Sequence, residues 1–232
     1  MSSSRPELKV DWCSYEAAKY AVMHWHYSRT MPVGKLVKIG AWEDGQFIGC
    51  VLFGRGANNH IGSPYGLDQT EVCELVRIAL TEHKWPSSAI VSRAVRLLTR
   101  AQPSLRLLVS YADPKQGHTG ILYQAANWLY AGPSQAQRFT LGLRGEVIHK
   151  KTVHSLRGTI VGLPKSELLW KRKYLYPLDK AMRRQIDPLR QPYPKREQAD
   201  EAKETARRAT SAETGGASPT RPLSDPSEGE TS

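Results

Sequence analysis

Residues 105–130 read LRLLVSYADPKQGHTGILYQAANWLY, and this stretch decides the fold class. Its opening, 105–111, is a near-continuous apolar run, the pattern of a strand covered on both faces. Residues 119–130 carry helix formers with apolar side chains at helical spacing, and Ala131, Gly132 and Pro133 close them off, which predicts a helix. A buried strand that runs through a polar turn into a helix is the building unit of an α/β chain.

Working outward, residues 15–25 (YEAAKYAVMHW) predict a first helix ending in a cluster of His and aromatic residues. Residues 36–42 and 46–53 are apolar or alternating runs on either side of Glu43, Asp44 and Gly45, and an Asp-Gly pair between such runs signals a β-hairpin. A loop rich in Gly and Asn follows over 54–69. Residues 71–80 (EVCELVRIAL) predict a strand, and 87–100 (SSAIVSRAVRLLTR) a helix that Pro86 and Ser87 start and cap. Beyond Gly132 the patterns weaken, with strands expected at 139–143 and 154–161 and a helix or strand through 167–175. The order predicts an α/β (α+β) chain with a mixed, twisted central sheet flanked by helices. No internal repeat is present.

The 232 residues carry 33 Lys and Arg against 22 Asp and Glu, a formal charge of +11. Such an excess favours a polyphosphate partner, because neutralising phosphates releases condensed counterions. An ordinary basic enzyme has the same bulk charge. Residues 195–232 are poor in aliphatics and free of aromatics, so they cannot bury enough apolar surface to offset their ordering entropy. They are expected to form a disordered tail, with a frayed helix near 199–209, behind a folded domain over 1–194. Residues 1–192 hold 27 basic and 14 acidic side chains, a net +13, and 137–192 hold 13 against four, a net +9. Within that last stretch His149-Lys150-Lys151, Trp170-Lys171-Arg172-Lys173-Tyr174 and Arg183-Arg184 interleave cations with aromatics, which suits phosphate contact with base stacking. A solvated charged face is the plain alternative.

Cys13, Cys50 and Cys73 are far apart and form no C-x-x-C pair, so neither a disulfide framework nor a cysteine zinc site is indicated. The first residues lack the apolar segment of a signal peptide, and no stretch approaches the ~18 apolar residues of a membrane span. The cytoplasm is the expected compartment, with no membrane partner.

Three clusters suit chemistry. His24-Trp25-His26-Tyr27-Ser28 places two imidazoles and a phenol at a helix end, where a His can bind metal, accept a proton or simply satisfy carbonyls. Asp113 and His118 follow the buried strand, at the end where open α/β sheets aim polar groups into a crevice. There Asp113 can act as base, ligand or turn cap, and Tyr123 on the next helix can face the same crevice. Glu74 and Arg77 form a charged pair within a strand, so they must be partnered or face a cleft. Ser87 and Ser88 open a helix whose free N–H groups can hold an anion.

The hairpin, strand, helix, strand, helix order, with LVSYADP leading into GILYQAANWLYAG, resembles the GNAT acyltransferase fold. Within that superfamily WHYS at 25–28, ELVRIAL at 74–80, and Asp113 with Tyr123 ten residues on are similar to the Mom proteins of phages related to Mu. The resemblance covers residues 10–187. It implies an enzyme that converts adenine in DNA to its N6-carbamoylmethyl form and so protects phage DNA from host restriction. It implies catalytic roles for His26, Tyr27, Arg77, Asp113 and Tyr123, with His26, Tyr27, Asp113 and Tyr123 as ligands of an iron ion. The partner implied is double-stranded DNA with the adenine turned out of the stack, and the basic stretch offers Lys150, Lys151, Lys171, Arg172, Lys173, Arg183 and Arg184 to hold its backbone. Trp25, Tyr27, Trp42, Tyr65 and Tyr111 are the candidate pocket walls. Ser87 and Ser88 take the place of a donor-binding loop, but HKWPSS at 83–88 replaces the Gly-rich phosphate loop of GNAT enzymes, which argues against acetyl-CoA as donor. Homodimerisation stays open. The alternatives are an acyltransferase acting on a protein or small molecule, and a DNA-binding protein without catalysis.

Overall fold

A computed structural model describes residues 5–56, 60–134, 137–141, 147–148 and 167–194. The elements run β1 (Leu8–Trp12), α1 (Tyr15–Trp25), β2 (Leu36–Glu43), β3 (Gln46–Gly54), β4 (Val72–Leu80), α2 (Ser87–Ala101), β5 (Leu107–Ala112), α3 (Ile121–Ala125) and β6 (Leu129–Pro133), followed by β7 (Gln137–Leu141), β8 (Val147–Ile148), β9 (Glu167–Leu169), β10 (Arg172–Pro177) and α4 (Lys180–Ile186). Seven strands form one mixed sheet in the order β1-β2-β3-β4-β5-β10-β6, and β8-β7-β9 form a small second one. Every pairing in the large sheet is antiparallel except β4 with β5.

The expected mixed sheet with flanking helices is present, and α1, the β2–β3 hairpin, β4 and α2 lie where the pattern places them. The hairpin turns at Asp44 and Gly45, both at positive φ as this tight turn demands. α1 begins because the Ser14 hydroxyl accepts from the Ala17 N–H.

One expectation is corrected. The helix foreseen over 119–130 is only α3, because Asn127 takes a left-handed conformation (φ 60°) and the Trp128 N–H bonds back to the Tyr123 carbonyl. Residues 129–133 then leave as strand β6. The strand expected at 139–143 appears as β7, and 167–175 divides into β9 and β10. The strand at 154–161, the frayed helix near 199–209 and the tail from 195 lie outside the described residues.

Both faces of the sheet are covered. α2 and α3 pack on one face with Phe53, Leu75 and Leu108, in a core that includes Ile90, Ala94 and Trp128. On the other face α1 covers Cys50, Leu52 and Ala79, while α4 brings Met182 and Ile186 onto Leu107, Val109 and Leu175. Among the described residues no helix is long and apolar enough to cross a membrane.

Candidate active site

The site follows from a break in the sheet. β4 and β5 pair only from Val72 with Leu107 to Leu75 with Ser110, and beyond those residues they part. A cavity of about 380 Å³ occupies the gap, lined from β4 by Glu74 to Ile78, from β5 by Tyr111 and Ala112, and closed by His26, Tyr27, residues 117–123 and Lys171.

A β-bulge aims the charged pair of β4 into this gap. Leu75 faces Phe53 and Arg77 faces Leu52, so Val76 is the extra residue. Residues three apart in a regular strand point to opposite faces. With the bulge, Glu74 opposite Gly54 and Arg77 opposite Leu52 share the face that carries α1. The Arg77 guanidinium gives one N–H to the Val76 carbonyl (2.7 Å), while its Nε–H is buried with no acceptor among the described residues. Burial raises the pKa of Glu74 to about 7, against the opposing pull of Lys171 and Arg77.

Tyr123 enters from the opposite face. Ser110 gives its hydroxyl hydrogen to the Leu75 carbonyl (2.9 Å), so the Tyr123 hydroxyl, 2.7 Å away, must donate to Ser110 and offer its lone pairs to the cavity. Its ring stacks on Tyr174 (4.8 Å between centroids), and burial pushes its pKa up to about 12.

His26 caps α1 and is only 9% exposed. Its Nδ1 receives the Ser28 backbone N–H (3.1 Å) and lies 2.8 Å from the Ser28 hydroxyl. A backbone N–H can only donate, so the neutral ring carries its proton on Nε2. Desolvation, then Arg77 and His118, lower its pKa to about 4 and keep the ring neutral. Tyr27 is half exposed at the cavity mouth, with its ring against His26 (4.3 Å) and edge-on to His118 (5.0 Å). Asp113 stands at the rim 3.9 Å from the Lys171 ammonium, and its carbonyl accepts from the Gln116 and His118 N–H groups.

His26, Tyr27, Arg77 and Tyr123 therefore meet in one cavity, with Asp113 tied to its rim through Lys171. In this arrangement their donors do not fit an iron ion. The Nδ1 of His26 is occupied, its Nε2 carries a proton, and the Asp113 carboxylate is paired with Lys171. Among the described residues no three His, Cys, Asp or Glu side chains are placed to hold a metal.

The remaining expectations divide. Tyr27 and Tyr111 line the cavity, whereas Trp25 and Trp42 pack on Phe47 (5.9 and 5.5 Å) and Tyr65 is buried in the core under α4. Ser87 and Ser88 lie at the start of α2, apart from the cavity lining, and the Ser87 hydroxyl pairs with His83 (2.9 Å). The N–H groups of Lys84 and Trp85, just ahead of α2, are taken by the Glu43 carboxylate (3.0 and 2.7 Å), which places an anion of the protein's own beside that helix start.

Arg172 is corrected. It is only 6% exposed, because alternation along β10 turns it inward with its guanidinium against the His118 and Thr119 carbonyls (3.5 and 3.4 Å). Lys173 points to the other face, over the Tyr65 ring (5.9 Å). Arg183 and Arg184 are exposed on α4, and Lys150 and Lys151 lie outside the described residues. Glu74, Tyr111 and His118 complete the site. The charged pair with Arg77 in a mostly apolar strand was the signal for Glu74.

Residues 7–195 match the Mom protein family. The chain is 25% identical over 205 residues to the methylcarbamoylase Mom of Escherichia phage Mu, covering 82% of this chain and 84% of that protein. Among solved structures it is similar to an N-acyl amino acid synthase from uncultured soil microbes, at 13% identity and a TM-score of 0.46 over 79% of this chain and 96% of that one. It is also similar to an acetyltransferase of the GNAT family from Streptococcus pneumoniae, at 12% identity and a TM-score of 0.43 over 74% and 100% of the two chains. With its match running from β1 through α4 and enclosing every residue of the cavity, this chain belongs to the Mom protein family.

Proposed function

We propose that the chain is a phage DNA-modifying transferase that places a carbamoylmethyl group on N6 of adenine and thereby shields DNA from restriction. Membership of the Mom family and the name of the phage Mu relative support the reaction class. The observation that carries the reading is the cavity itself, which gathers a neutral His, phenols, a carboxylate and two cations between splayed strands.

A base can be treated there only after leaving the duplex stack. Tyr27, half exposed at the mouth, is a surface on which an extruded base can stack. The Tyr123 oxygen accepts a hydrogen bond from an exocyclic amine, and the Nε2–H of His26 and the unpartnered Nε–H of Arg77 supply donors for ring nitrogens or for charge developing on the donor. Asp113 holds Lys171 at the rim. The Glu43 carboxylate beside the start of α2 disfavours a donor whose pyrophosphate would be gripped there.

Expression in a bacterium carrying a plasmid, followed by digestion of the DNA to nucleosides and mass spectrometry, tests this. A deoxyadenosine heavier by one carbamoylmethyl group is the expected product. An unaltered nucleoside profile at good soluble expression overturns the reading.

A further inference from the structure

We propose that Glu74 is the catalytic base that takes the proton from the attacking amine, a role the sequence places on Asp113. This rests on the reading that the cavity acts on an exocyclic amine. The bulge at Val76 is the structural reason. It turns Glu74 to the face shared with Arg77, and both line the cavity between β4 and β5. Among the described residues no hydrogen bond or ion pair engages the Glu74 carboxylate, and Glu74 lines the cavity. Gly56, at φ +74°, lies so close to Oε2 that a Cβ there would collide with it, so the loop after β3 packs onto the carboxylate. Asp113, by contrast, sits at the rim beside an ammonium group.

The amine nitrogen of adenine shares its lone pair with the ring, so it must shed a proton as it bonds to carbon. In the step inferred, nitrogen forms a bond to the methylene carbon of an electrophilic carbamoylmethyl donor. The leaving group departs with the electron pair of the broken bond, and the N–H proton passes to Glu74, which becomes neutral. A base works best when its pKa lies near the working pH, which matches the raised value of Glu74. The groups facing it titrate elsewhere. His26 is held near 4, His118 below its usual value, and Tyr111 and Tyr123 near 12, while the charges of Lys171 and Arg77 favour the ionised form of Glu74.

The test compares wild type with Glu74→Gln and Glu74→Asp, reading modified deoxyadenosine per unit time against pH, together with DNA affinity. Wild-type rate is expected to rise with pH through about 7, as the carboxylate ionises. Glu74→Gln should lose about 10²- to 10⁴-fold in rate at every pH with DNA affinity unchanged, and Glu74→Asp should restore part of the rate. Glu74→Gln also removes a buried charge, so its thermal stability at pH 8 should equal or exceed wild type, which separates lost chemistry from lost fold. Full activity in Glu74→Gln, or a pH profile that this change leaves in place, overturns the proposal. Titration of the Glu74 carboxyl followed by carbon NMR needs no substrate, and a midpoint near 4.5 would also overturn it. A wild type that leaves DNA unmodified while its carboxyl titrates near 7 would sink the DNA reading, and with it this role.

Discussion

His26 shows how much a single side chain's role depends on its neighbours. The sequence offered it as ligand, base or plain helix cap. The bond from the Ser28 N–H and the burial beside Arg77 make it a neutral donor through Nε2. Its folded pKa, about 4, lies below the ordinary 6.5, so the unfolded chain binds the proton more readily. The stability gained from keeping the ring neutral is full above pH 6.5 and is lost as pH falls towards 4. Urea midpoints at pH 7 and pH 4.5 should differ more for wild type than for His26→Gln, and equal differences would show that His26 titrates normally. Tyr123 makes a second case. Its hydroxyl hydrogen goes to Ser110, whose own hydrogen goes to Leu75, so Tyr123→Phe leaves Ser110 still bonded. The expected cost is about 1 kcal/mol in urea denaturation, while the loss of an acceptor in the cavity lowers turnover at unchanged DNA affinity.

At the scale of elements, periodicity identified α1, α2 and the hairpin because each has its own start or stop: Ser14 before α1, Pro86 before α2, Asp44 and Gly45 in the turn. It failed at residues 119–130 because helix formers continue past Asn127, and a left-handed Asn announces itself far less than Gly or Pro. β1 alternates Leu8, Val10 and Trp12 with Lys9 and Asp11, a strand signal only five residues long. The bulge at Val76 could not be foreseen, since register against β3 exists only once the sheet is assembled. Nor could the union of Glu43 with the start of α2, 41 residues away. That union yields a prediction. Glu43→Ala strands the Lys84 and Trp85 N–H groups and removes an anion from the α2 terminus, so stability should fall by about 1–2 kcal/mol. A urea midpoint equal to that of wild type would mean that water serves those amides equally well.

Across the whole molecule, the basic segment and the chemical site prove to be interwoven. The cationic run at 171–173 is the start of β10, which lies between β5 and β6, so Lys171 reaches the cavity and Arg172 is spent inside the fold. Replacing Lys171, Arg172 and Lys173 together would therefore damage the sheet and could not isolate DNA binding. Arg183 and Arg184 provide the cleaner probe. α4 buries Met182 and Ile186 and is capped by Asp179, whose carboxylate accepts from the Met182 N–H (2.7 Å), while both arginines face outward. Changing both to Ala should cost at most about 1 kcal/mol, because both are exposed and only last-turn charge that favours the helix dipole is lost. If both meet phosphates, affinity for duplex DNA should fall alike for all sequences, because bonds to phosphate carry no base information. The slope of log K against log salt should flatten by about 2, close to one for each phosphate no longer neutralised. Fluorescence anisotropy across a salt series measures both quantities. An unchanged slope would place the DNA track away from α4, whereas a weakening confined to one sequence would mean that these arginines read bases.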